Sequence, residues 1–118
     1  MANNTIIQWN CRSLYQKRFV LSHIKSVNKP FAICLQETFS LSNIELAEIQ
    51  NLFNDYFIYF KTRNRVGRAN PRGGVAILIH MSVPHRLIQL NTPLEAIAAS
   101  IKYRGKEISV CSLYLANS

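Results

Sequence analysis

The sequence predicts an α/β fold of the α+β kind, in which two helices cover one face of a mixed β-sheet. The chain opens with a strand–helix–strand pattern, and most of the segments that follow have strand character. Its 118 residues are enough for one domain with a modest core. The hydrophobic fraction of 48% and the charged fraction of 17% are typical of a globular protein and argue against a disordered chain.

The first elements form a pair of strands joined by a helix. One apolar strand is predicted over residues 5–10 and another over residues 31–36. Between them, the capping-box pattern of Ser13 and Gln16 predicts a helix start, and Pro30 predicts the helix end, since the residue before proline avoids the helical region. A crossover of this kind makes the two strands parallel, so their carboxyl ends meet at one edge of the sheet.

A second helix and five further strands are predicted downstream. Ser42 and Glu45 form another capping-box pattern, which predicts a helix start. The strands cover residues 56–61, 74–80, 86–90, 94–102 and 107–115. A turn at Arg104 and Gly105 joins the last two strands as a hairpin. The last strand is almost entirely apolar, which favours a central position in the sheet with both faces covered. Because two helices cannot cover both faces, we expect the domain to be cut short.

The charge balance favours an anionic partner. The formal net charge is +8 and the pI is about 9.8. An excess of Lys and Arg favours nucleic acid or an anionic membrane surface, and a basic but inert surface is the alternative. Basic residues without any acid occupy the loop over residues 62–73 and its start: Lys61, Arg63, Arg65, Arg68 and Arg72. We predict that this loop contacts DNA phosphates, with a solvated loop as the alternative.

The three cysteines, Cys11, Cys34 and Cys111, predict neither a zinc site nor a disulfide framework. None is part of a close C-x-x-C pair, and each lies in an apolar, strand-like run. We therefore expect core packing and a reducing compartment. Residues 1–4 lack the pattern of a signal peptide, and no apolar run is long enough to cross a bilayer. We expect a soluble, intracellular protein without a membrane partner.

Polar side chains end both strands of the predicted parallel pair. Asn10 ends the first strand, and Gln36 and Glu37 end the second. Ligands of open α/β sheets bind in the crevice beyond the strand ends. Mg2+ prefers oxygen ligands, usually one or two carboxylates completed by water and substrate phosphate. The sequence therefore predicts part of a metal and phosphate site at this edge of the sheet.

Four strings carry a resemblance to a known superfamily. They cover residues 8–14 (QWNCRSL), 34–38 (CLQET), 72–77 (RGGVAI) and 112–114 (SLY). With these strings in this order, the chain resembles the endonuclease/exonuclease/phosphatase superfamily, and most closely the apurinic/apyrimidinic-endonuclease-like domain of non-LTR retrotransposons. The resemblance implies half of a four-layer deoxyribonuclease-I-like sandwich. It also implies a phosphodiesterase that uses Mg2+ or Mn2+, needs no other cofactor, and nicks DNA for target-primed reverse transcription.

The resemblance implies roles for individual residues. Glu37 would be the principal metal ligand, with Asn10 beside it to hold the metal or the phosphate. Gln36 would orient this cluster, and Tyr114 would donate a hydrogen bond to the scissile phosphate. A set of arginines would bind DNA: Arg12, Arg63, Arg65, Arg68 and Arg72.

The chain departs from the superfamily pattern in its second half. The later Asp, Asn and His motifs, including the general-base His, are absent from residues 1–118, and the single aspartate, Asp55, lies in no such motif. We therefore expect the N-terminal half of an endonuclease domain, inactive alone, from a nuclear polyprotein that continues into a reverse transcriptase. Two alternatives stay open: a fragment of a cellular apurinic-site repair endonuclease, and a non-catalytic basic module that binds nucleic acid.

Overall fold

The computed structural model describes residues 2–61 and 73–115, which form seven strands and two helices. In chain order these are β1 (Asn3–Asn10), α1 (Arg18–Asn28), β2 (Pro30–Gln36), α2 (Asn43–Leu52), β3 (Tyr56–Lys61), β4 (Val75–His80), β5 (His85–Ile88), β6 (Glu95–Tyr103) and β7 (Lys106–Tyr114). The predicted order of elements is confirmed, and the predicted strand bounds differ from these by two residues at most.

The first sheet contains four strands in the order β1-β2-β4-β3. β1 and β2 are parallel and the other two pairs are antiparallel, which confirms a mixed sheet. The central strands β2 and β4 are continuous apolar runs because both faces of this sheet are covered. The helical layer packs on one face through the buried side chains of Leu21, Ile49 and Phe53, so the predicted placement of the helices is also confirmed.

The remaining strands form a second, antiparallel sheet in the order β5-β6-β7. The central position predicted for the last strand is wrong, because among the described residues β7 pairs only with β6. The reason lies in the alternation along β7. Val110 and Ser112 are buried, whereas Cys111 and Leu113 between and beyond them are exposed. The apolar composition therefore belongs to a strand with one covered face.

The second sheet packs against the face of the first sheet that the helices leave open. Phe31, Cys34 and Ile77 of the first sheet meet Ala99 and Ile101 of the second in one buried cluster. The described residues thus form three layers, with the four-stranded sheet between the helices and the three-stranded sheet. The ends of β2 and β7 adjoin, since Gln36 Nε2 donates a hydrogen bond to Ser112 Oγ at 2.9 Å, and we call this junction of strand ends the crevice.

Helix α1 begins at Arg18, so the start predicted at Ser13 is wrong. Ser13 instead has a positive φ of 90°, and its hydroxyl accepts a hydrogen bond from Gln16 N within a turn. The backbone of this turn is bound to the segment after β2, since Leu14 N donates to Thr38 O at 3.1 Å. These tertiary hydrogen bonds prevail over the local capping pattern and delay the helix.

The other predicted helix ends agree with the structure. α1 ends at Asn28, and Lys29 takes a left-handed conformation just before Pro30. α2 begins with the predicted capping box: Ser42 Oγ accepts a hydrogen bond from Glu45 N (3.1 Å), and Glu45 Oε1 accepts one from Ser42 N (2.9 Å). The end of α1 and the start of α2 thus both depend on residues that are neighbours along the chain.

Two of the three cysteines lie in the core. Cys11 and Cys34 are buried, as predicted, whereas Cys111 is exposed on β7, so the core role predicted for it is wrong. The alternation of β7 explains the difference, because Cys111 falls between the buried positions Val110 and Ser112. Within the described segments, no helix is long and apolar enough to cross a membrane.

Candidate metal centre

The ends of β1 and β2 bring Asn10 and Glu37 to one edge of the first sheet. Asn10 is the register partner of Gln36, the last residue of β2. Beyond the strand ends, Cys11 N donates a hydrogen bond to Gln36 O (3.0 Å), and Ser13 N donates one to Glu37 O (2.9 Å). The two segments therefore stay side by side past the end of the sheet, which keeps Asn10 and Glu37 close together.

The backbone around Glu37 is held on both sides. Glu37 has a left-handed conformation with a φ of 53°, which is uncommon for a residue with a side chain. The next two residues bind the turn before β4, since Thr38 N donates to Gly74 O (3.2 Å) and Phe39 N donates to Gly73 O (2.8 Å). A conformation of this kind persists where the surrounding structure fixes it. The position of Glu37 is therefore set by tertiary hydrogen bonds.

Several side-chain oxygen atoms at this edge have no partner among the described residues. The partly exposed Glu37 carboxylate and the exposed Asn10 amide make no side-chain hydrogen bond or ion pair with another described residue. The Thr38 hydroxyl, one residue beyond Glu37, is fully buried and has no hydrogen-bond partner in the described segments. Such groups are the ones a cation or its bound water would satisfy.

Gln36 lies between the two sheets and binds both. Its Oε1 accepts a hydrogen bond from Gln8 Nε2 on β1, and its Nε2 donates to Ser112 Oγ on β7 at 2.9 Å. Ser112 Oγ donates in turn to Leu35 O at 2.6 Å. Gln36 therefore ties the second sheet to the strand end that leads into Glu37.

Tyr114 approaches the same crevice from the second sheet. It is the last residue of β7 and the register partner of Glu95, the first residue of β6. Residues two positions apart on a strand share a face. Because Ser112 binds Leu35 O of the first sheet, Tyr114 also lies on the face that meets the first sheet. Its side chain is partly buried, and its hydroxyl makes no hydrogen bond with another described residue.

Glu95 is a residue of this site that the sequence pattern did not reveal. The residue is 3% exposed, and its Oε2 accepts a hydrogen bond from Gly74 N at 3.1 Å. It also packs on Gly73, where an added Cβ would lie 2.7 Å from Glu95 Oε2. A side chain at this position would displace the Glu95 carboxylate, and the φ of 91° at Gly73 favours glycine as well. One signal in the sequence could have indicated Glu95, because an acidic residue stands there at the start of an apolar strand. A carboxylate that is buried in such a strand needs hydrogen-bond donors.

Of the arginines predicted to bind DNA, only Arg12 is described. It is exposed in the turn after β1, where it has a φ of 47°. Lys17 braces this turn, because its Nζ donates to Cys11 O at 2.9 Å and to Arg12 O at 3.4 Å. Arg12 therefore lies on a fixed turn two residues beyond Asn10. The other predicted arginines lie outside the described residues: Arg63, Arg65, Arg68 and Arg72.

The nearby thiol of Cys11 is a packing group. Burial raises the pKa of Cys11 to about 11, and the charge of Lys17 opposes this only in part. The thiol therefore stays protonated at neutral pH, whereas a metal-binding cysteine is a thiolate. Across residues 2–61 and 73–115, no group of three or more His, Cys, Asp or Glu residues is arranged to hold a metal ion. A soft-metal site is thus absent from the described residues.

The residues at this edge fit a hard divalent cation. Glu37 offers one carboxylate and Asn10 one amide oxygen, both without partners among the described side chains. Mg2+ is commonly bound through one or two carboxylates, with water and substrate phosphate in the remaining positions. The donor set is therefore consistent with a cation that is bound only partly by this chain.

Known structures share this fold. No family model and no curated protein matches the sequence. The chain is similar to the endonuclease domain of TRAS1, a telomere-specific non-LTR retrotransposon, with a TM-score of 0.63 and 16% identity over 94% of this chain and 45% of that one. It is similar to the AP endonuclease LMAP from Leishmania major, with a TM-score of 0.63 and 16% identity over 95% of this chain and 40% of that one. Truncated TDP2 from Caenorhabditis elegans gives a TM-score of 0.58 and 22% identity, over 96% and 46%.

These matches define the class of fold. The chain has the endonuclease/exonuclease/phosphatase fold, also called deoxyribonuclease-I-like, and the predicted resemblance is confirmed at this level. Its helical layer and two sheets form an α/β portion of that sandwich. The chain spans less than half the length of each of these structures.

Proposed function

We propose that this chain carries the first half of a cation-dependent phosphodiesterase site that cuts DNA. One observation carries the proposal: Asn10 and Glu37 lie at the ends of the paired strands β1 and β2, which Gln36 joins to β7 through Ser112, two residues before Tyr114. The side-chain polar groups of Asn10, Glu37 and Tyr114 have no partner among the described residues. The likeness to a retrotransposon endonuclease domain and to an AP endonuclease supports this reaction class. In our proposal the parent is a nuclear polyprotein that nicks DNA to prime a reverse transcriptase encoded downstream.

Glu37 and Asn10 would hold the cation, Mg2+ or Mn2+. When bound, the cation supplies charge neutralisation at the scissile phosphate and stabilises the leaving oxygen. Glu37 suits this role because the backbone that carries it is fixed on both sides before any ligand arrives. Asn10 adds an oxygen without a second negative charge, which favours the approach of an anionic phosphate.

Tyr114 and Gln36 would position the phosphate in different ways. The Tyr114 hydroxyl is a neutral donor at the strand end, where it can donate a hydrogen bond to a phosphate oxygen. Gln36 acts indirectly, because its hydrogen bonds to Gln8 and Ser112 fix the spacing between the two sheets. That spacing sets the distance between Glu37 and Tyr114.

The DNA backbone would be bound by arginines next to this crevice. Arg12 is exposed on the braced turn two residues beyond Asn10, so its charge would lie near the proposed cation site. Four further arginines complete the proposed contact: Arg63, Arg65, Arg68 and Arg72. Contacts of this kind give affinity that falls as the salt concentration rises, with little dependence on base sequence.

A plasmid-nicking assay with Mg2+ tests the activity of the chain alone. We expect no open-circular product above background, because residues 1–118 contain no match to the general-base His motif that the resemblance implies. Glu37→Ala serves as the comparison. Nicking by the wild type that this substitution abolishes would contradict the expected inactivity, although it would support the assignment of Glu37.

Titration with Mn2+, followed by the electron paramagnetic resonance signal of the free ion, tests the cation site directly. Glu37→Gln should weaken Mn2+ binding about tenfold or more, because the neutral amide removes the one carboxylate of the donor set. Glu107→Gln is a matched control, since Glu107 lies near the opposite end of β7 from Tyr114. Equal Mn2+ affinity in the wild type and both variants would contradict the site.

A non-catalytic module that binds nucleic acid is the second candidate, and the net charge of +8 favours it. This candidate predicts DNA binding that weakens with salt and is unchanged by Glu37→Ala, and it predicts that the chain does not bind Mn2+.

A cellular repair endonuclease would share the cation site with the retrotransposon enzyme. The genomic sequence downstream of Ser118 separates these two, because a reverse transcriptase there supports the retrotransposon parent.

A further inference from the structure

A buried carboxylate on the second sheet contacts the turn that precedes β4. Glu95 is the first residue of β6, and its Oε2 accepts a hydrogen bond from Gly74 N at 3.1 Å. The carboxylate lies directly over Gly73, so close that a Cβ at Gly73 would be 2.7 Å from Oε2 and 2.9 Å from Oε1. The two glycines have φ values of 91° and 90°, which expose their backbone to this approach.

The same turn holds the segment that follows Glu37. Gly74 O accepts a hydrogen bond from Thr38 N (3.2 Å), and Gly73 O accepts one from Phe39 N (2.8 Å). A continuous path therefore runs from the Glu95 carboxylate through the two glycines to the backbone of residues 38–39. Glu37 precedes this segment directly and has the left-handed φ of 53° that the segment must support.

The chemistry of this contact requires an acceptor on the second sheet. Gly74 is buried, so its N–H would lose its bond to water without gaining a partner if Glu95 were apolar. An ionised carboxylate forms a stronger hydrogen bond than a neutral acceptor. It is also costly to bury unless it is hydrogen-bonded. The N–H of Gly74 is therefore one of the donors that a buried acid at this position requires.

We propose that Glu95 is a positioning residue for the candidate cation site. Through the Gly73–Gly74 turn it fixes the backbone that carries Glu37, and as the register partner of Tyr114 it adjoins the other side of the crevice. The proposal rests on the proposed function in so far as Glu37 binds a cation. The mechanical link from Glu95 to residues 38–39 stands independently of it.

Amide hydrogen exchange measured by NMR on the full chain tests the link. In Glu95→Ala, the amides of Thr38 and Phe39 should exchange about tenfold faster or more, because loss of a hydrogen bond of ordinary strength makes opening easier by about that factor. The amide of Ile77 in β4 is the internal control and should stay protected. Glu95→Gln keeps an acceptor oxygen of similar reach and should restore protection at both residues.

Mn2+ titration of the same variants separates positioning from direct binding. We expect Glu95→Ala to weaken Mn2+ binding about tenfold, as the loss of residues that orient metal ligands commonly does, and Glu95→Gln to stay close to the wild type. Unchanged exchange at Thr38 and Phe39 in Glu95→Ala would overturn the proposal. It would equally be overturned if Glu95→Gln lost Mn2+ while both amides stayed protected, because Glu95 would then be a direct ligand.

Two further outcomes remain informative. If Glu95→Ala does not fold, Glu95→Asp provides the test, because it keeps the charge but withdraws the carboxylate from Gly74 N by one methylene. Faster amide exchange at Thr38 and Phe39 in Glu95→Asp would then support the proposal, and unchanged exchange would contradict it.

If the wild type binds no Mn2+, the proposed function fails, whereas the exchange measurement still supports or overturns the link from Glu95.

Discussion

The two sheets of this protein use their faces differently. In the four-stranded sheet, β2 is buried at every position and β4 at all but its last, because helices cover one face and the second sheet covers the other. In the three-stranded sheet, β7 is buried only at Val110 and Ser112, and Leu113 on its other face is 42% exposed. The central strands of the first sheet are therefore interior elements, whereas β7 at the edge of the second sheet has one covered face. The central strand of the second sheet, β6, is buried on both faces, as Ala98 and Ala99 show.

This difference explains how the candidate site is assembled. The first sheet contributes Asn10 and Glu37 from the ends of its parallel strands. The second contributes Tyr114 and Glu95 from the face that meets the first sheet. The geometry of the crevice therefore depends on how firmly the second sheet is attached, and Gln36 contributes to that attachment through Ser112. Perturbing the two sheets separately should show which of them sets stability and which sets the site.

The largest expected effect comes from the interior of the first sheet. Leu78 on β4 is fully buried in the helix-side core, so Leu78→Ala should lower the free energy of unfolding by about 3 kcal/mol, through lost burial and the cavity left behind. Leu113→Ala is the matched change on the outer face of β7 and should cost less than about 1 kcal/mol. Urea denaturation measures both. Equal losses would show that the outer face of β7 is packed as tightly as the interior.

The features that could be predicted from the sequence depend on local chemistry. Ser42 and Glu45 cap α2 within four residues, and Pro30 ends α1, because the deciding atoms are neighbours along the chain. The parallel pairing of β1 and β2 also followed from order alone, since a strand–helix–strand unit has one common geometry. The meeting of Asn10 and Glu37 is a consequence of that geometry.

The features that could not be predicted depend on distant partners. Ser13 has the pattern of a helix cap, yet backbone bonds from its turn to residues 37–38 delay α1 to Arg18. The hydrogen bond from Gln36 to Ser112 spans 76 residues, and no periodicity along the chain encodes such a pairing. The alternation of a strand indicates which of its residues share a face, but not which sheet that face meets. Glu95 was overlooked for the same reason.

The attachment of the second sheet can be weakened at Ser112. Ser112→Ala leaves the buried Nε2 of Gln36 and the carbonyl oxygen of Leu35 without this partner, and should lower the free energy of unfolding by roughly 1–3 kcal/mol. Ser109→Ala, on the exposed face of the same strand, should change it by less than about 0.5 kcal/mol. The measurement is the urea midpoint of each variant. A Ser112→Ala protein as stable as the Ser109→Ala protein would mean that the inter-sheet hydrogen bonds do not secure the second sheet.

Cys11 and Cys34 are buried on opposite sides of the first sheet, whereas Cys111 is exposed on the outer face of the second. Burial raises the pKa of both Cys11 and Cys34 to about 11, from an ordinary value of 9.0. Between these values the unfolded chain releases the two protons while the native chain retains them, so stability should fall as the pH rises from about 9 to about 11. Cys111 is exposed on β7 and should not contribute to this loss.

Urea denaturation at several values of pH measures this loss, and two variants identify its source. Cys11→Ala combined with Cys34→Ala should flatten the decline of stability above pH 9, even if the double variant starts from a lower value. Cys111→Ala should leave the decline as steep as in the wild type. A decline that is equally steep in all three proteins would assign it to groups other than the core thiols.

The smallest expected effects come from ion pairs, and they too should differ between the layers. Lys25 on α1 binds Asp55 Oδ1 at 3.2 Å and Leu52 O at 2.9 Å, with a side chain that is 15% exposed. Arg86 on β5 lies 3.7 Å from Glu107, with a side chain that is 70% exposed. Lys25→Met should therefore cost about 1 kcal/mol, because it removes a partner of a backbone carbonyl as well as a charge. Arg86→Met should change the free energy of unfolding by less than about 0.5 kcal/mol.

Salt provides the check on this last comparison, because exposed pairs are screened more than partly buried ones. Raising the ionic strength should remove the small difference between the wild type and Arg86→Met, while most of the loss in Lys25→Met remains. If salt abolished both differences, the Lys25 pair would be an exposed interaction like that of Arg86. The attachment of the helical layer would then depend mainly on its apolar residues, in contrast to the second sheet, which hydrogen bonds at Ser112, Glu95 and His85 also join to the first.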